Sequence, residues 1–243
     1  MTTLVVGATG ATGRLLVDRL LARGETVRAL VRKSPDSPDL PEELRARDGL
    51  TLVQGTVLDL PEAELQGLVR GCDAVASCLG HNLSFGGVFG PPWRLVARSL
   101  ERLCEVVTTV GAPTRVVLMS STGVRNPDLS ETISLAQHLV LAALRVVIQP
   151  HPDNERAARH LCSRIGQDHP VIDWCTVRPD GLVDTDELCD YVLHESPTRS
   201  AIFDAGKVAR LQVADLMSRL VTDDALWAEW RGRMPVVYDA ATG

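Results

Sequence analysis

The chain has 243 residues, 45% of them apolar, with a net charge of −6 and a pI near 5.5. That length and apolar share suit one α/β domain with a substantial core, residues 1–243 forming a single unit. The acidic balance argues against a protein that coats nucleic-acid phosphates, because such domains carry a basic face.

Residues 4–6 form an apolar run that ends at Gly7, Gly10 and Gly13 follow at three-residue spacing, and residues 14–21 show helical periodicity. A strand, a tight turn and a helix in that order aim free backbone N–H groups and the positive end of a helix dipole at an anion. Gly7 suits the sharp turn, Gly10 lets a pyrophosphate approach the backbone, and Gly13 lets helix pack on strand. Thr9, Ala11 and Thr12 complete the loop that would touch that pyrophosphate. A plain structural turn is the competing reading, and the strand-to-helix context favours the phosphate cradle. Gly24 then stops the helix, and residues 26–32 read as a second strand ending in Arg32-Lys33. An acidic residue at that point, about twenty residues beyond the glycines, binds the ribose hydroxyls of NAD, whereas a basic one accommodates the 2′-phosphate of NADP. NADP(H) is therefore expected here, against the alternative of a solvated charge pair.

Residues 34–48 are a Pro- and charge-rich connection with a short helix expected at 42–47, and residues 50–55 are the third strand. The fourth strand, 73–80, carries Cys78-Leu79-Gly80 and leads into a Gly-rich loop at 81–93 that holds His81 and three aromatic residues. That loop reads either as an apolar flap over a planar substrate or as a surface loop tacked to the core. A helix at 93–110 precedes the fifth strand, 115–119, which ends in Ser120-Ser121. Hydroxyls at the carboxyl end of a central strand face the ligand edge of such a sheet, although a serine pair can also cap the turn. Helices are expected at 131–149 and 153–164, joined by Pro150-His151-Pro152, with Asp153 as the N-cap of the second. The apolar tract 133–148 is too interrupted for a membrane span and reads as core, with a subunit interface as the other possibility. A sixth strand, 171–177, closes on Arg178-Pro179-Asp180-Gly181-Leu182. Helices near 213–222 and 225–230 and a last strand at 235–238 complete the chain.

Alternating strands and helices imply a doubly wound α/β fold: a parallel Rossmann sheet in the order 3-2-1-4-5-6-7 with helices on both faces. The six cysteines form no Cys-x-x-Cys pair, so reduced core thiols are expected and no metal site. Met1 runs almost at once into the first strand, so no targeting leader and a cytoplasmic protein are expected.

The spacing Gly7-x-x-Gly10-x-x-Gly13 resembles the atypical short-chain dehydrogenase/reductases, relatives of flavin and biliverdin reductase-like enzymes and of nitrogen-regulator-like sensors. Arg178-Pro179-x-x-Leu182 resembles the turn that follows their sixth strand. The resemblance implies that Val57 touches the adenine, with Thr56 standing where the family commonly has Asp. It further implies that Gly80 and its neighbours Cys78 and Leu79 pass close to the ribose, and that Pro179 borders the nicotinamide. The family's active-site serine matches Ser120 or Ser121, and residues 180–243 shape the substrate pocket.

The family's usual acid, a Tyr followed by Lys four residues on, is missing. Only Tyr191 and Tyr238 occur, neither with that Lys, and residues 129–180 contain no Lys at all. Catalysis, if present, then falls to Ser121 orienting an acceptor, to Asn154 holding the nicotinamide ribose or a water, and to His151 or His81 as proton donors. The leading expectation is an NADPH-dependent oxidoreductase acting on a small planar quinone, flavin or carbonyl compound, monomeric or homodimeric, with no nucleic-acid or membrane partner. A non-catalytic NADP-binding sensor and a nucleotide-using epimerase or dehydratase are the alternatives, and fold alone does not choose among them.

Overall fold

A computed structural model of the chain describes residues 1–37, 40, 44, 47–80, 94–129, 131, 150–200 and 203–241. The sheet is built from β1 (Thr2–Val6), β2 (Thr26–Val31), β3 (Leu50–Gln54), β4 (Ala74–Ser77), β5 (Thr114–Met119), β6 (Ile172–Pro179), β8 (Tyr191–His194) and β10 (Val236–Asp239). Its order is β3-β2-β1-β4-β5-β6-β10-β8. Seven of these strands are parallel and stand in the expected order, β10 taking the seventh place beside β6. β8 is an addition: it returns antiparallel to β10 and forms the edge. Two short strands, β7 (Gly181–Val183) and β9 (Lys207–Ala209), pair in a separate parallel ribbon after β6.

The strands read as nearly continuous apolar runs because both faces of the sheet are covered. Along β1, Leu4 and Val6 enter one core and Val5 the other. The first core lies against α2 (Glu62–Val69), α3 (Leu95–Val110) and α4 (Pro150–His160), and the second against α1 (Ala11–Ala22), α5 (Arg210–Thr222) and α6 (Asp224–Trp230). α1 repeats its apolar residues at helical spacing, so Leu16, Val17 and Leu20 are wholly buried. Each such side chain contributes roughly 1.5 to 3 kcal/mol through removal from water.

Three local features depart from the pattern in the sequence. α2 follows the third strand where no helix was expected, entered through Pro61, with Leu65 and Val69 as its only buried positions. α4 begins at Pro150 and ends in a π-helical turn, Leu161–Ile165. Asp153 is therefore inside α4 and does not cap it. Its carboxylate is 1% exposed and accepts the backbone N–H groups of Val96 at 2.8 Å and Ala97 at 3.0 Å, so it caps α3 from the neighbouring helix. α3 needs this partner because Arg94 enters it in the left-handed conformation, φ 62°, and supplies no side-chain cap. Of the expected helix at 42–47 only residues 44 and 47 are described, and the loop 81–93 with His81 and the tract 133–148 lie outside the described residues.

Candidate functional site

The first turn of α1 is a bare anion cradle. Gly7 adopts φ +78°, and a Cβ there would lie 2.7 Å from the carbonyl of Cys78. A Cβ on Gly13 would lie 2.0 Å from the Gly7 oxygen, and one on Gly10 would lie 3.2 Å from it. Gly7 and Gly13 thus press the turn between β1, β4 and α1, while Gly10, bonded through its N–H to the Gly7 carbonyl at 3.0 Å, is exposed together with Thr9 and Ala11. α1 has no side-chain N-cap and no acidic residue in its first turn. Its leading amides and dipole are left for an external anion. Thr12 is 4% exposed, so its side chain supports the turn from inside.

The cradle sits at the carboxyl edge of the sheet, and the other expected positions fall along the same edge. Arg32 and Lys33 follow β2 directly and are exposed. Val57, 3% exposed, lies under the loop after β3, where the Arg102 guanidinium donates to the carbonyls of Val57 at 2.6 Å and Leu60 at 2.5 Å. The Thr56 hydroxyl is engaged locally: it donates to Asp59 at 2.6 Å and accepts the Asp59 N–H. Cys78 turns its thiol inward to Met217 at 3.8 Å, and burial pushes that thiol up to about 12, so the side chain is turned into the core. Leu79 is half-buried, and among the described residues nothing lies within 4 Å of a Cβ built on Gly80.

At the end of β5 the two serines separate in role. Ser120 is 8% exposed and its hydroxyl finds no hydrogen-bond partner among the described residues, while Ser121 is half-exposed. An unpaired buried hydroxyl costs about 1 to 3 kcal/mol, a cost that a ligand group at this edge would relieve. Cradle, open helix end and orphaned hydroxyl together fit a dinucleotide laid across the strand ends. Asn154 is half-buried one turn into α4; His151 belongs to the same helix, and its side chain lies outside the described residues.

Pro179 closes β6 next to this edge, and its carbonyl accepts the Thr122 N–H at 3.0 Å. The preceding Arg178 is wholly buried. It donates to Glu131 at 2.7 Å, to the carbonyls of Val124, Met234 and Glu195, and so ties the loop after β5 to β6, β8 and the chain entering β10. Burial lowers its pKa, and the Glu131 carboxylate acts in the opposite sense. Glu131 also accepts the Asn126 N–H at 2.9 Å. Glu131 and Asp180 were not singled out in the sequence. An arginine inside an apolar strand is the one signal that a buried acid must exist somewhere, and it gives no position for it.

Asp180 accepts from the Thr122 hydroxyl at 3.2 Å and from the Gly206 N–H at 2.9 Å. Burial raises its pKa, against the opposing bonds from Gly206, Thr122 and Gly181 and the charge of Arg199. Neither tyrosine takes the place of the usual acid. The Tyr191 hydroxyl donates to Asp215 at 3.0 Å, accepts from Arg219, and is pushed up to about 12 chiefly by burial. Tyr238 is fully buried beneath Gly206. All six cysteines are free; Cys189 is the exposed one, a departure from the expected core thiols. Among the described residues no cluster could hold a metal ion, and no helix is long and apolar enough to cross a membrane.

A search among curated protein sequences finds no match. The chain has the fold of an oxidoreductase from Lactococcus lactis, ylbE (17% identity, TM-score 0.68, 100% of this chain and 93% of that one). It is equally similar to a short-chain dehydrogenase/reductase from Veillonella parvula solved in complex with NADP (15% identity, TM-score 0.68, 99% and 95%). A third similar structure is ChuY, an anaerobillin reductase from Escherichia coli O157:H7 (18% identity, TM-score 0.68, 100% and 99%). The sequence pattern of NAD(P)H-binding proteins matches residues 7–224, from the first glycine of the cradle to the start of α6. With that match spanning most of the chain, and with the cradle and strand order of the short-chain dehydrogenase/reductase fold, the protein belongs to the NAD(P)H-binding family.

Proposed function

We propose that the protein is an NADPH-dependent oxidoreductase of the atypical short-chain type, reducing a small planar acceptor such as a quinone, a flavin or a carbonyl compound. The observation that carries this reading is one continuous sheet edge with the uncapped first turn of α1, the cationic pair Arg32-Lys33 after β2, and the Ser120-Ser121 strand end. A reduced nicotinamide bound along that edge supplies hydride. The amides of Ala11, Thr12 and Gly13 hold the pyrophosphate, and Arg32 takes the 2′-phosphate bidentately with Lys33 beside it. Ser121 and Asn154 orient the acceptor and the nicotinamide ribose. Positioning then supplies most of the rate for acceptors that need little protein acid.

Replacing both Arg32 and Lys33 with alanine should weaken NADPH about ten- to a hundredfold and leave NADH nearly unchanged, because each charge-assisted hydrogen bond is worth about 1.5 to 3 kcal/mol. Equal losses for both cofactors would remove these side chains as readers of the 2′-phosphate. Steady-state assays of wild type, Ser121→Ala, Asn154→Ala and His151→Ala with quinone, flavin and carbonyl acceptors test the chemistry. A second reading, a non-catalytic NADP-binding sensor, draws support from the absence of a Tyr and Lys acid pair; firm NADPH binding with no turnover of any acceptor would establish it.

A further inference from the structure

We infer that Asp180 is the group that holds a proton at the acceptor site and delivers it to the reacting oxygen or nitrogen, which supplies the acid that carbonyl acceptors need and extends the acceptors to imines. This rests on the oxidoreductase reading above. Asp180 directly follows Pro179 at the carboxyl end of β6, and the bond from the Thr122 N–H to the Pro179 carbonyl sets it beside the Ser120-Ser121 strand end. Its side chain is half-buried and fixed at both oxygens, by the Thr122 hydroxyl at 3.2 Å and the Gly206 N–H at 2.9 Å. Each carboxyl oxygen has a further lone pair, and the Thr122 hydroxyl can accept as well as donate, so the neutral acid fits the same place as the anion.

Gly206 presses the chain of the β7–β9 ribbon onto this carboxyl. A Cβ at Gly206 would lie 2.6 Å from the Tyr238 ring and 3.4 Å from the Asp180 carboxyl, so no side chain separates them. Tyr238, with the His194 ring 5.8 Å away and tilted by 60°, backs the site from β10 and β8. Arg199, whose charge acts on Asp180, is ion-paired with Asp204 at 2.9 Å, while Arg178 is ion-paired with Glu131. Desolvation keeps the Asp180 proton to higher pH than an ordinary carboxylate would, and the exposed half lets solvent replace it.

In the step itself, hydride from the reduced cofactor forms a C–H bond at the acceptor carbon and the π pair moves to the heteroatom. The Asp180 O–H bond breaks as the new O–H or N–H bond forms, and the carboxylate is reprotonated from water. Two electrons leave the cofactor and two enter the acceptor. A quinone yields a hydroquinone anion that water can protonate, so it depends far less on this acid.

Asp180→Asn tests the assignment. The amide can donate to the Thr122 hydroxyl and accept from Gly206, so the pin between the two loops survives and NADPH affinity should stay within about twofold. With p-nitrobenzaldehyde as the carbonyl, turnover should fall about a hundredfold or more, and the decline of the wild-type rate at high pH should disappear; with menadione the loss should stay within about threefold. A readout free of cofactor accompanies this. A carboxyl raised above its ordinary 3.8 stabilises the fold fully below that value and progressively less as pH rises through its folded value. Thermal melts of the free protein should therefore show wild type losing ground to Asp180→Asn as pH rises through this window. Identical melting profiles, an unaffected aldehyde rate, or equal losses with both acceptors would overturn the assignment alone. Wild type that binds NADPH and reduces neither acceptor would overturn the oxidoreductase reading, and the assignment with it.

Discussion

At the scale of the residue, the glycines of the cradle are not interchangeable. A methyl group on Gly13 meets a backbone oxygen at 2.0 Å, and backbone cannot swing aside as a side chain can, so α1 must lift from β1. Gly13→Ala should cost about 1 to 3 kcal/mol in urea unfolding and abolish measurable NADPH binding. Gly80 is the contrasting case, because a methyl there meets nothing within 4 Å among the described residues. Gly80→Ala should melt within about a degree of wild type, since surface changes of this kind stay near zero. Should the chain pass close to the ribose at Gly80, the same variant should still bind NADPH several-fold more weakly in a fluorescence titration; unchanged binding would place the ribose elsewhere. Arg178 illustrates a residue whose importance is structural. Glu131→Leu would strand its buried guanidinium, at about 3 to 5 kcal/mol, whereas replacing Arg178 and Glu131 together with apolar residues should recover much of that loss in a double-mutant cycle.

At the scale of the element, the pairing of α3 with α4 depends on a cap given by one helix to the other. Two amides of α3 would be left without a partner in Asp153→Ala, so the loss should exceed that of an ordinary surface cap, at about 2 kcal/mol. Asp153→Asn keeps one acceptor and should lose roughly half as much, measured by the same urea unfolding. Asn154 follows Asp153 on α4, so the alanine variant should also disturb any function of Asn154, whereas Asn154→Ala leaves the cap intact. β10 and β8 show the same dependence on distant partners. Val236 pairs with Arg178 on one side and His194 on the other, and this places Tyr238 beneath the loop that touches Asp180.

At the scale of the whole molecule, acid sensitivity should reflect His160, which lies on α4 with a buried Nε2 that has no partner among the described residues. Burial lowers its pKa below the ordinary 6.5, opposed by Glu101 and Glu105 of α3, with Arg164 adding to the lowering. The unfolded chain therefore takes up this proton first, and stability is lost as pH falls below about 6.5 toward the folded value. His160→Gln should flatten melting temperature against pH over that interval and leave the neutral region unchanged. A variant whose acid limb matched wild type would remove His160 from this account.

The order of the seven parallel strands, the glycine cradle and the positions of Arg32, Ser120, Ser121 and Pro179 along one edge were legible in the sequence. Each rests on a local signal: apolar runs of strand length, glycines between strand and helix, and side chains at strand ends that a parallel sheet must bring to one edge. The tertiary structure alone decided what depends on partners far apart in the chain. Asp153 carries the composition of an N-cap and serves the wrong helix for any local rule, because α4 packs its first turns against the uncapped start of α3. β8, with four half-buried residues, becomes a strand only because β10 offers it an edge. Asp180 and Glu131 acquire their environments from Gly206, Thr122 and Arg178, and neither spacing nor composition encodes a contact between residues separated by 26, 58 or 47 positions.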